Sequence, residues 1–419
     1  MYCDDKSGLK RIDPEVYSII KKEIERERNR INLIASENYA PLPILEAQAS
    51  ILTNKYAEGY PGARYYPGCE PSDMVEKIAI ERANALFGSE HANVQPHSGT
   101  QANMAVYMCA LSPGDLIMAM DLTCGGHLSH GAHYNYSGVI YRVVFYGVDR
   151  KSEVLDYDEI EQIAKKERPK LIIAGGSSYP RKIDFEAFRR IADSVGAILL
   201  VDMAHFSGLV AGKVHPDPVP CADFVSSTTH KTLRGPRGGF VLCKKKFAEA
   251  LDRAVFPGIQ GGPMMHVIAA KATCFSEAMK HEFSDYARAI VENAKALCEK
   301  MKSEGMRVVS GGTDTHLFLL DLRPLEISGR EAQEALSFAG IDANMNVIPY
   351  DEAPATITSG IRIGTPAVTT RGMRPEHMQK LGDIIARVLR NVGNRGALER
   401  LRDEVREFAS EFPVYPELD

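Results

Sequence analysis

The sequence predicts an α/β fold, a mostly parallel sheet covered by helices on both faces, followed by a smaller α+β domain. Three observations carry this expectation. At 419 residues the chain exceeds the size at which a single hydrophobic core usually stops growing, so two domains are expected. Between residues 116 and 242, short apolar runs alternate with amphipathic segments, the pattern of strands joined by crossover helices. A long helical stretch from Met264 to Glu304 then leads into a region where strand and helix patterns mix.

Taken in order, Asp13-Pro14 reads as a helix start, and the charged stretch Lys21 to Arg30 as an exposed N-terminal helix of the kind that packs on a partner subunit. Apolar residues recur at helical spacing from Met74 to Phe87 and stop at Gly88. A second helix runs from Gln101 to Leu111 until Ser112-Pro113-Gly114 ends it. Leu116 to Met120, Tyr141 to Tyr146, Leu171 to Ala174, Ala197 to Val201, Phe224 to Ser226 and Gly239 to Leu242 read as strands, with helices at Asp158 to Glu167 and Phe185 to Val195. Beyond residue 304, Arg307 to Val309, His316 to Asp321 and Ile361 to Ile363 read as strands, and Pro375 to Val392 and Leu398 to Glu411 as helices. The expected division is an arm over 1–35, a large domain over 36–285 and a small domain over 286–419. In such sheets ligands bind beyond the carboxyl ends of the strands.

An apolar fraction of 44%, a charged fraction of 25% and a net charge of -5 describe a soluble globular chain with no electrostatic bias toward nucleic acid or membranes. The polar start, Met1 to Lys10, has no signal-peptide core, and no run is long enough to cross a bilayer, so a cytoplasmic protein is expected. The eight cysteines form no C-x-x-C pair, which argues against a disulfide framework and against a metal site.

The chemistry begins with Lys231, which follows Ser226-Ser227-Thr228-Thr229-His230 and precedes a glycine-rich stretch. That is the setting of a Schiff-base lysine, although a solvated basic turn would look similar. An exposed lysine, with a pKa of about 10.4, is a poor nucleophile at neutral pH and must be desolvated or held near other cations. His230, Arg234 and Arg237 are the candidates for those cations. Asp202 sits where the run ending at Val201 meets the ligand edge of the sheet, placed either to cap a helix or to keep the ring nitrogen of pyridoxal phosphate protonated. His205 is three residues further on. Ser98 and Gly99 stand at the start of a helix whose first amides lack intrahelical partners, which suits either a phosphate or simple capping. His127, after Gly125-Gly126, is either a surface histidine or one that stacks on a flat ring. Arg362 lies on a predicted strand and offers the bidentate geometry that a substrate carboxylate needs.

With these segments in view, the chain resembles the serine hydroxymethyltransferase family of fold type I pyridoxal-phosphate enzymes. The resemblance rests on EGYPGARYY, PHSGTQAN, GGHLSHG, VDMAHFSGLVAG, TTHKTLRGPRGG, FPGIQGGP and SGIRIGTPAVTTRG, which occur in the family's order from the N-terminal arm to the C-terminal helices. It implies a seven-stranded, mostly parallel sheet in the large domain, pyridoxal 5'-phosphate as cofactor and tetrahydrofolate as cosubstrate. The implied reaction is reversible interconversion of L-serine and glycine with transfer of the hydroxymethyl unit.

By the same resemblance Lys231 binds the cofactor, Asp202 pairs with its ring nitrogen and His127 stacks on its face. Ser98, Gly99 and His230 hold the phosphate, joined by Gly262 of a neighbouring subunit. Ser177 and His205 contact cofactor or substrate oxygens, and Ser36 and Arg362 bind the substrate carboxylate. Tyr56, Glu58 and Tyr66 complete the site from the second chain, so a homodimer or larger assembly is implied. Glu58 moves a proton at the hydroxymethyl group, while Tyr66 and Thr228 assist exchange at Lys231. Leu122, Gly126, Leu128 and Asn346 line the folate pocket.

Some segments depart from the family pattern: Pro67 and Cys69-Glu70-Pro71 after Tyr66, Ala132-His133-Tyr134, Asn344-Met345-Asn346, and Ala353-Pro354-Ala355-Thr356. They leave room for an α-methylserine hydroxymethyltransferase with D-alanine as acceptor, or for a folate-independent aldolase or transaldolase of β-hydroxy amino acids. A non-catalytic cofactor-binding protein is the alternative from another class, and the intact Lys231, Asp202, Glu58 and Arg362 argue against it.

Overall fold

Seven strands build the central sheet: β1 (His91–Asn93), β2 (Leu116–Met120), β3 (Arg142–Tyr146), β4 (Leu171–Gly175), β5 (Ile198–Asp202), β6 (Phe224–Thr228) and β7 (Gly239–Cys243). This is a computed structural model and describes residues 8–418. Cys3 and most of the polar start, residues 1–7, lie outside the described residues. The strand order is β1-β7-β6-β5-β4-β2-β3. Strand β7 runs antiparallel to β1 and β6, and the remaining pairs are parallel. Strands β4, β6 and β7 are buried at every residue, because helices cover both faces; this is why continuous apolar runs marked them in the sequence. Strand β1 was not predicted. Its three residues, His-Ala-Asn, make no apolar run, and it exists through its pairing with β7.

The chain passes from β2 outward to β3, then returns to β4 and continues the other way through β5 and β6. The carboxyl ends of β2 and β4 therefore border a topological switch point, where loops diverge and leave a crevice. There the Ser177 amide donates to the Gly125 carbonyl at 2.7 Å, joining the two loops.

The long helical stretch predicted from Met264 to Glu304 is two helices, Met265–Ala278 and His281–Ser303. Neither Gly nor Pro marks the break; Lys280, extended at ψ 151°, redirects the chain. The second helix buries Phe283, Ala287 and Ile290 in the core of the large sheet, and Leu297, Cys298 and Met301 in a separate core.

That second core lies on a four-stranded antiparallel sheet of β8 (Arg307–Val308), β9 (Leu317–Asp321), β10 (Asn344–Asn346) and β11 (Gly360–Gly364), ordered β8-β9-β11-β10. Helices Gly329–Phe338, Pro375–Leu389 and Arg395–Ser410 cover it. The N-terminal helix Pro14–Asn29 has no buried residue. It is fastened to this unit of its own chain through the Arg26 and Arg30 ion pairs with Asp342, and Ile31–Asn32 pairs in parallel with Ile341–Asp342.

Candidate active site

A cavity of about 360 Å³ opens at the switch point. Ser36, Ser98, Gly99, His127, Ser177, Asp202, His205, Thr228, His230, Lys231 and Arg362 all line it, together with Glu37, Thr100, Gly176, Ala204 and Arg237. Twelve residues singled out in the sequence, Arg237 among them, thus converge from widely separated segments.

Lys231 follows β6 through a short turn. Burial lowers its amine to about 8; the Asp202 carboxylate pulls it upward, while Arg362 and Arg237 push it down. The expectation that His230 and Arg234 would supply neighbouring cations is corrected. Burial, reinforced by Lys231 and Arg237, holds the His230 imidazole down at about 3, so it is neutral at pH 7. Arg234 lies over the Tyr286 ring, 4.3 Å from its centroid. Burial and two arginines therefore do the work.

Asp202 ends β5 and faces the same cavity. Burial alone would raise its carboxyl, but the His130 hydrogen bond and the neighbouring His130 and His127 imidazoles outweigh it and hold the group well below the usual carboxylate range. The His130 Nε2 donates to Asp202 Oδ2 at 2.8 Å, and Asn103 Nδ2 donates to the same oxygen at 2.9 Å. Since His130 Nδ1 accepts from the His127 amide, the proton belongs on Nε2. Sequence reasoning missed both His130 and Asn103. Their signals were present inside GGHLSHG and PHSGTQAN, but only the fold brings them to Asp202.

The helix Gly99–Ala110 starts at the cavity with Ser98 as its cap, whose Oγ accepts from the Gln101 amide at 3.3 Å. A Cβ on Gly99 would come within 2.7 Å of Thr228 Cγ2, so the glycine allows the helix start to approach β6. Beside it, buried His230 Nδ1 has no hydrogen-bond partner among the described residues. Free helix amides, two hydroxyls and an unpaired imidazole nitrogen are the donor set of a phosphate site. Burial pulls the His127 imidazole down to about 4, leaving a neutral ring face. His205 Nδ1 lies 3.2 Å from His316 Nε2, and the two rings are stacked. On β11, Arg362 donates from Nη1 to the Ser177 carbonyl at 2.8 Å and from Nε to Asn344 Oδ1 at 3.2 Å. These contacts leave Nη2 for a ligand.

Tyr56, Glu58, Tyr66 and Gly262 do not line this cavity. They form a second cluster: the Tyr56 and Tyr66 rings are 5.0 Å apart, and the Glu58 carboxylate pushes the Tyr56 phenol up. A Cβ on Gly262 would meet the Tyr56 ring at 3.4 Å. Leu122, Gly126 and Leu128 lie on the loop that carries His127, and Asn346 reaches Ser178 Oγ at 3.5 Å. None of the four lines the cavity itself.

A mostly parallel sheet that brings a half-buried lysine, an acid held ionised and the start of a helix together at its switch point is the arrangement of a pyridoxal-phosphate enzyme of fold type I. The family model of serine hydroxymethyltransferase matches residues 9–385, nearly the whole chain, and the protein belongs to that family. The family interconverts serine and glycine with tetrahydrofolate, using pyridoxal phosphate.

Proposed function

We propose that Lys231 is the amine that holds the cofactor and that Asp202 faces its ring nitrogen. The observation that carries this reading is the shared cavity, where burial lowers Lys231 to about 8 beside a carboxylate held ionised. When bound, pyridoxal phosphate supplies a protonated ring that accepts electrons as a bond at the substrate's Cα breaks.

In this reading the chain's own groups divide the remaining work. Ser98, Gly99 and His230 bind the phosphate, with Gly262 of a second subunit. His127 packs on the ring face, and Ser177 and His205 bind oxygens of cofactor or substrate. Arg362 and Ser36 orient the substrate carboxylate; the guanidinium, pinned at Nε and Nη1, is already positioned before substrate arrives. Glu58 moves a proton at the hydroxymethyl oxygen, while Tyr66 and Thr228 assist exchange at Lys231. Leu122, Gly126, Leu128 and Asn346 line the folate pocket. Tyr56, Glu58 and Tyr66 act on the cavity of a partner, which makes the active unit a homodimer or larger. The arm, large and small domains divide at 35 and 285, the second boundary falling inside the helix His281–Ser303 that both cores share, and the compartment is the cytoplasm.

The Lys231→Ala variant tests the assignment. It is expected to fold, to give no lysine-bound cofactor absorbance on addition of pyridoxal phosphate, and to lose folate-dependent serine cleavage by at least about a hundredfold. Retained absorbance and turnover would place the nucleophile elsewhere.

A further inference from the structure

Lys271 lies on the helix Met265–Ala278, is 1% exposed, and takes no part in the assignments above. Its Nζ donates to three backbone carbonyls, those of Val94 at 2.7 Å, Pro96 at 2.9 Å and Gly239 at 2.7 Å. A neutral amine has only two N–H groups, so three acceptors match the ammonium form. Burial pulls this amine down to about 7 and Glu76 pulls it upward, while the three carbonyls accept all three N–H groups of the charged form.

The three carbonyls belong to two loops of the active site. Val94 and Pro96 lie on the segment that leads from β1 to Ser98 and Gly99, and Gly239 opens β7 after the turn that carries His230 and Lys231. The Gly239 amide also donates to Pro96 O at 3.0 Å. Within the same segment, Gln260 donates to the Gln95 carbonyl at 3.1 Å and accepts from the His97 amide at 2.9 Å. Peptide planarity means that the carbonyls held at Val94 and Pro96 also fix the Gln95 and His97 N–H groups, in the segment that immediately precedes Ser98. The backbone entering the helix start is therefore set before any ligand arrives.

We propose that Lys271 is a positioning residue for the phosphate end of the cofactor: its ammonium clasps the 94–98 segment to the Lys231 turn and so aims the Ser98 and Gly99 amides. The proposal rests on the reading that Ser98 and Gly99 hold the phosphate. A role confined to general stability would weaken binding of any cofactor form equally. A clasp on the phosphate loop weakens the phosphorylated form selectively.

The test compares dissociation constants of pyridoxal phosphate and of pyridoxal, which lacks the phosphate, for the full chain freed of cofactor. In Lys271→Met the constant for pyridoxal phosphate is expected to rise about tenfold or more, while that for pyridoxal changes less than about twofold. Equal weakening of both, or an unchanged preference, overturns the proposal. Gly238→Ala covers the case in which Lys271→Met does not fold, because its Cβ would lie 2.5 Å from Lys271 Cε and displace the ammonium without removing it. The same selective loss is expected there, and its absence counts against the clasp. Ser98→Ala separates the two readings: if it leaves the phosphate preference intact, the cradle assignment fails. If it lowers that preference while the Lys271 and Gly238 variants do not, only the clasp fails.

Discussion

Two charges of opposite sign, Lys231 half-buried and Asp202 buried, are treated differently by the same cavity. Burial is the largest influence on both, yet it succeeds in weakening the lysine's charge and fails to neutralise the acid. The reason lies in the partners. Asp202 accepts from His130, Asn103 and the Ala204 amide, so its desolvation is offset by hydrogen bonds, whereas Lys231 faces Arg362 and Arg237. The consequence for reactivity is a pH dependence. Only the neutral amine attacks an aldehyde, so the rate at which the cofactor-free chain takes up pyridoxal phosphate is expected to rise about tenfold per pH unit at low pH. It levels off above about 8, where Lys231 has lost its proton. The sign of the Asp202 contribution gives a second arm. Its carboxylate raises the lysine, so Asp202→Asn moves the midpoint to lower pH. Rapid-mixing absorbance across pH on both proteins checks this, and a midpoint that stays or climbs contradicts it.

Elements decide how those residues meet. Strand β11 delivers Arg362 to the cavity, and its last residue, Gly364, receives the arm: the Gly364 amide donates to the Leu33 carbonyl at 2.8 Å. A Cβ on Gly364 would lie 2.4 Å from Ala35 Cα, so Gly364→Ala must push the arm away or distort the strand. The expected cost is about 1–3 kcal/mol, the range for overpacking a tight contact, measured as a lower urea midpoint at unchanged slope. An unaltered midpoint would show that the arm moves freely. The sheet strands were legible in the sequence for a related reason, since burial on both faces leaves continuous apolar runs such as Leu171 to Ala174. Strand β1 was not legible, being polar and defined only by its neighbour. Neither was the helix Gly329–Phe338, although its Ser328 and Glu331 capping box stood in the sequence. In the site, groups at strand ends and helix starts, such as Asp202 and Ser98, could be read from local pattern. His130, Asn103 and Lys271 could not, because each acquires its meaning from partners distant in the chain.

The whole molecule leaves one part of the proposed chemistry without a substrate of its own. Tyr56, Tyr65 and Tyr66 are 55%, 73% and 43% exposed, and with Glu58 they lie outside the cavity that holds Lys231. Exposed aromatics clustered around an acid are what a second copy would cover, and a two-fold arrangement would carry each cluster to the partner's cavity. Site sharing of this kind has a quantitative signature. Lys231→Ala and Glu58→Gln are each expected to be nearly inactive alone. In a mixed dimer, the Glu58→Gln chain contributes an intact Lys231 and the Lys231→Ala chain an intact Glu58, so one site of the two is whole. Random reassembly of equal amounts gives half mixed dimers, hence about a quarter of wild-type activity. If Glu58 serves its own chain's lysine, no combination contains a complete site and activity stays at the level of the separate variants. Refolding the two proteins together and assaying serine cleavage distinguishes these outcomes, and recovery toward a quarter places the Glu58 cluster in the neighbouring subunit's active site.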